Sequence, residues 1–165
     1  MAFEIPEGLA PVLLPIAWLI GHWEGTGRGK TPEGEEFDYS AVVDFTENGQ
    51  DWLHYAMQLF ETDADGAPLR PLGFETGFWR PAADGAIEVL IAQPEGVAEV
   101  YLGRVQGAKI ELATDIVVRT ATAAVATSGG HRLYGCVESD LLFTYDRGTA
   151  DADLQPWLWA RLRRA

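Results

Sequence analysis

The chain has 165 residues, which suits one domain with a core of its own. Hydrophobic residues make up 47%, so it belongs with folded chains and not with disordered ones. A formal net charge of −13 argues against nucleic acid and anionic membrane as partners, and the single cysteine, Cys136, excludes an internal disulfide and a multi-cysteine zinc site. A lone cysteine fits a reducing compartment, and with no targeting signal visible the cytoplasm is the expected location.

Residues 9–20 are an apolar run preceded by Glu4 and Glu7 and interrupted by Pro11 and Pro15. The run lacks the basic flank of a secretion signal and is too short to cross a bilayer. It reads as a short helical lid or plug ahead of the first strand. Gly21-His22-Trp23-Glu24-Gly25-Thr26-Gly27 follows. Glycines at alternate positions leave one strand face nearly bare, as a sharply curling strand in a closing barrel requires. Trp23 is then the large residue at the closed end of that barrel.

In residues 37–45, Phe37, Tyr39, Ala41, Val43 and Phe45 share one face, which makes a strand by its period of two. Asn48-Gly49 turns the chain into a return strand over 51–61. Further strands are expected over 72–80, 87–92, 97–105, 109–118, 132–137, 141–147 and 157–164. Asp63-Ala64-Asp65-Gly66, Ala83-Asp84-Gly85 and Pro94-Glu95-Gly96 mark turns between them. About ten strands at this spacing predict an all-β fold, most simply a single up-and-down antiparallel β-barrel with a short N-terminal helical segment. No linker or repeat divides it, so residues 1–165 read as one domain. Barrels of this size can enclose a small-molecule cavity.

Trp157 and Trp159 fall on one face of the last strand by alternation. Facing inward, they either line a cavity as an aromatic wall for a small apolar ligand or fill it. The histidines are His22 beside Trp23, His54 on the face of Trp52, Ala56 and Phe60, and His131 ahead of a strand. Tyr55, Met57 and Cys136 are further donors, with Met57 reading as a gap filler and Cys136 as a buried thiol. No nucleophile elbow, zinc-protease motif or phosphate loop is present. The acidic residues are spread over turns and outward faces, where they serve solubility. An interaction protein that uses this acidic surface as a homodimer is a further reading.

Three groups of residues carry a resemblance to a known family. The first is the GxWxGxG run of Gly21, Trp23, Gly25 and Gly27. The second is Glu75-Thr76-Gly77-Phe78-Trp79-Arg80 with the stretch from Gly85 to Gln93 after it. The third is the closing Leu154-Gln155-Pro156 with Leu158, Ala160 and Leu162. In this order and spacing the chain resembles the nitrobindins, ten-stranded calycin-like barrels related to fatty-acid-binding proteins, over nearly its whole length.

The resemblance implies ferric haem b in the barrel, nitric oxide binding, and isomerisation of peroxynitrite to nitrate. It also implies a histidine on the iron, directly after Gln-Pro or its equivalent. Here that position is Trp157, and an indole nitrogen donates a hydrogen bond but cannot ligate iron. Glu33 stands where the family has a threonine near the haem, Gly73 where it has a histidine, and Val125 where a lysine is common. The family's first-strand tryptophan packs under a last-strand arginine, which implies Arg161 or Arg163 over Trp23. The expectation is a nitrobindin-like barrel without haem ligation or metal, binding a small apolar ligand or none, and not acting as an enzyme. The alternative is a haem b protein with another axial ligand that acts on peroxynitrite or nitric oxide.

Overall fold

The structure, a computed structural model, describes residues 3–165. Its ten strands are β1 (Gly21–Lys30), β2 (Glu36–Thr46), β3 (Leu53–Thr62), β4 (Pro68–Pro81), β5 (Ala86–Gln93), β6 (Val97–Gln106), β7 (Lys109–Arg119), β8 (Thr127–Val137), β9 (Asp140–Thr149) and β10 (Ala152–Arg164). Each pairs antiparallel with its successor, and β10 returns to β1, which closes the barrel. Closure leaves no end strand without a partner, the usual hazard of a long meander. The all-β, up-and-down barrel expected from the strand spacing is the one observed. β4 and β8 begin earlier than the sequence suggests, at Pro68 and Thr127. Pro68 and Pro71 in one case, and Gly129 and Gly130 in the other, mask the alternation there.

The period of two puts one row of each strand inside. β2 buries Tyr39, Ala41, Val43 and Phe45, and β3 buries Leu53, Tyr55, Met57 and Leu59. β5 adds Ile87, Val89 and Ile91; β9 adds Leu141, Phe143 and Tyr145. β10 adds Leu158, Ala160 and Leu162. These side chains form one continuous core.

The glycines of β1 allow the wall to take large neighbours. A Cβ on Gly27 would stand 2.5 Å from the Tyr39 ring. Tyr39 crosses that gap and donates its hydroxyl to the Trp159 carbonyl at 3.0 Å. A Cβ on Gly29 would run into the ring of Phe37 in the same way.

The N-terminal segment is a 3₁₀ helix, Pro11–Leu19, with Pro15 inside it. Pro15 has no N–H to give and clashes with a carbonyl four residues back, so an α-helix cannot run through it. Leu13, Ile16, Ala17 and Leu19 are buried and plug one end of the barrel. Trp23 lies beneath, fully buried, with its indole N–H donating to the Leu19 carbonyl at 2.7 Å. The arginine that stacks on it is Arg164, whose guanidinium carbon is 4.1 Å from the ring centroid. That corrects the expectation of Arg161 or Arg163. Alternation sends those two outward, where Arg161 pairs with Asp140 and Glu138. Arg164 turns in and also donates to the carbonyls of Trp18 and Ile20, tying the plug to β10. Among the described residues, no helix is long and apolar enough to cross a membrane.

Candidate functional site

The end opposite the plug is the mouth. There the ends of β3, β5 and β9 meet the starts of β4, β6, β8 and β10 around a cavity of about 80 Å³. Met57, Leu59, Val97, Val125 and Leu158 give it an apolar wall. Gly73 faces it with open space, since a Cβ there would meet nothing within 4 Å. Arg147 and Trp157 stand together at its rim.

Trp157 reaches the mouth because β10 is irregular at that point. Pro156 pairs with Asp146 and Leu158 with Tyr145, so Trp157 is an extra residue in a β-bulge. The bulge lets Leu158 and Trp157 both contribute to the cavity, whereas plain alternation would send one of them out. The indole packs against Phe37, with ring centroids 5.4 Å apart, and carries the Arg147 guanidinium 3.9 Å above its ring. Trp159 lies past the bulge and faces outward, opposite Arg28 on β1 and Thr144 on β9. The two tryptophans therefore do not share a wall, contrary to the expectation from alternation. Glu33 sits exposed in the β1–β2 turn and does not line the cavity.

Glu75, Gln93 and Tyr145 also line the cavity and belong to a buried polar cluster that alternation alone did not point to. Arg132, fully buried, forks onto Glu75, with its Nη2 3.0 Å from Oε2 and its Nη1 on Oε1. Its Nε donates to the Tyr101 hydroxyl at 3.0 Å. Tyr101 in turn donates to Glu99 at 2.8 Å. Tyr55 donates to Glu75 at 2.8 Å, and the Gln93 amide bridges Glu75 and Glu99 at 3.2 and 2.9 Å. The Tyr145 ring lies 4.0 Å under the Arg132 guanidinium.

Two buried carboxylates face one buried cation, and the two respond oppositely. Burial alone would raise the Glu75 pKa, but the charge and hydrogen bonds of Arg132 outweigh it and hold the carboxyl below its ordinary value. Glu99 has weaker contact with Arg132, 3.5 Å at closest, and burial pushes its pKa up. The two acids thus correct the reading that every acidic residue serves the surface. Glu75, Glu99 and Arg132 all fall on rows that are otherwise apolar, and a charge at an inward position is the signal that could have found them.

The three histidines all face outward. His22 contacts Asp44 at 2.6 Å and Glu24 at 3.0 Å, and hydrogen bonds to both raise its pKa. His54 contacts the Thr76 hydroxyl at 2.8 Å, and His131 contacts Glu111 at 3.0 Å. None of them lines the mouth. Tyr55 is occupied by Glu75 and by the Met57 sulfur, and Cys136 lies partly buried at the plugged end. Among the described residues, no group of three or more His, Cys, Asp or Glu is placed to hold a metal ion.

Residues 12–164 match the THAP4-like, heme-binding β-barrel domain family. The chain belongs to that family. It is 57% identical to the ferric nitrobindin-like protein of Cutibacterium acnes over the full length of both chains. It is 44% identical to the peroxynitrite isomerase of Nocardioides sp., covering 99% of each. The crystal structure of Rv2717c from M. tuberculosis superposes with a TM-score of 0.81 at 32% identity, over 95% of this chain and 99% of that one. The nitrobindin family resemblance drawn from the GxWxGxG run and the closing strand is thereby established for the chain as a whole.

Proposed function

We propose that this chain is a nitrobindin-family barrel that does not hold haem iron through a side chain of its own, and that its mouth serves a small organic molecule instead. The observation that carries this reading is Trp157. The family resemblance puts the iron-binding histidine there, and the indole offers no lone pair to a metal. Its ring also packs against Phe37 and carries the Arg147 guanidinium. The cavity beside it, about 80 Å³, is well under the roughly 300–1,000 Å³ typical of cofactor and ligand sites. These residues do not fit an iron-ligated haem. On this reading the barrel is a binding protein, and the haem chemistry of its relatives is not its own.

A second reading keeps haem through another donor. It is favoured by one observation, the Met57 sulfur on the cavity wall. That sulfur already accepts a hydrogen bond from Tyr55 at 3.4 Å. Ferric haemin titrated into the purified wild-type protein separates the two. No Soret shift beyond that of free haemin is expected. A saturable shift at one equivalent overturns the proposal, and its loss in Met57→Leu would identify the ligand.

A further inference from the structure

The barrel holds two inward arginines in unlike circumstances. Arg132 is fully compensated by Glu75, Glu99 and Tyr101. Arg147 lies on the inward row of β9, half-buried at the mouth, with its guanidinium carbon 3.9 Å over the Trp157 ring centroid. Among the described residues it makes no ion pair and donates no hydrogen bond. Glu99 is the carboxyl nearest in effect, but its oxygens already accept from Tyr101, Gln93 and Arg132. Glu95 lies exposed at the rim.

A partly desolvated cation without an acceptor is costly. Stacking satisfies the face of the guanidinium and leaves its edge of N–H donors open. That edge matches a planar carboxylate, which it can hold through two parallel hydrogen bonds. The wall beyond it, Met57, Leu59 and Leu158, is apolar.

We propose that the mouth takes a short-chain monocarboxylate, its carboxylate on the edge of Arg147 and its alkyl end against Met57, Leu59 and Leu158. The cavity volume allows a chain of a few carbons and no long acyl tail. This inference rests on the reading that haem does not fill the mouth, and it replaces a purely apolar ligand with one that carries an anionic head.

The test is a nuclear magnetic resonance titration of haem-free protein, following the Arg147 Nε–H and the Trp157 indole N–H. Sodium butyrate, 1-butanol and sodium nitrate are the three ligands. Butyrate should bind about tenfold more tightly than butanol, which lacks the anion, and than nitrate, which lacks the tail. Arg147→Met should bring butyrate down to the level of butanol. Arg147→Lys, which keeps the charge and loses the fork, should fall between wild type and Arg147→Met. Butyrate binding no better than butanol overturns the proposal, as does butyrate binding that survives in Arg147→Met. Nitrate binding equal to butyrate overturns the alkyl subsite. No haemin is present in these titrations. A failed carboxylate site therefore shows here, while a failed haem-free reading shows separately as a Soret shift.

Discussion

Single residues at the mouth and beneath it set the chemistry of the barrel. Glu75 and Glu99 share one arginine but differ in what they lose when changed. Glu75 is ionised against Arg132, so Glu75→Gln leaves a buried cation short of its main partner, a loss of about 3–5 kcal/mol. Glu99 is pushed toward its neutral form, and an amide of the same shape should cost less than about 1.5 kcal/mol. Urea unfolding of both variants at pH 7 checks the contrast.

The pH dependence follows with opposite signs. The Glu75 pKa is lowered in the fold, so its contribution is present above the unfolded value near 4.3 and is lost as pH falls through the folded one. The Glu99 pKa is raised, so its contribution is present below about 4.3 and is lost as pH rises through the folded value. Glu99→Gln should therefore gain on wild type as pH rises from 4 to 8. A constant difference over that range would contradict the assignment.

At the scale of elements, β10 carries Trp157 to the mouth and β1 acts on it at one remove, through β2. The inward glycines of β1 let Phe37 and Tyr39 cross over them, and Phe37 then braces Trp157. Gly27→Ala should cost about 1–3 kcal/mol, because its methyl meets the Tyr39 ring and threatens the bond to the Trp159 carbonyl. Gly73→Ala projects into open cavity and should stay within about 0.5 kcal/mol of wild type. Urea midpoints for the pair measure this directly. Equal losses at the two positions would mean that the β1 glycines do not serve close packing.

The bulge in β10 is the feature that alternation alone could not supply. A period-two reading puts Trp157 and Trp159 on one face, and one extra residue at Trp157 separates them. The same shift of phase explains why Arg164, and not Arg161 or Arg163, covers Trp23. The plug was legible as an apolar segment, and its two prolines decide for 3₁₀ over α.

For the whole molecule, strand number, antiparallel order and closure were legible, because each strand carries its own alternation and its own turn. The mouth was legible mainly through the family resemblance, which pointed to Gly73, Val125 and Trp157. All three line the cavity, while Glu33 and Trp159 do not. Arg147 and the Glu75–Arg132–Glu99 cluster depend on contacts between strands far apart in sequence. An inward charge marks each of Glu75, Glu99 and Arg132 singly, but that Arg132 pairs with Glu75 leaves no local pattern to read.

The proposed loss of iron-bound haem rests on Trp157. Trp157→His replaces the indole with a smaller ring that carries a lone pair. Titrating ferric haemin into wild type and Trp157→His side by side, at the Soret band, tests that most directly. The account predicts a silent wild type and a saturable band shift in the histidine variant. A wild type that binds as well as the variant, or a variant as silent as wild type, would contradict it.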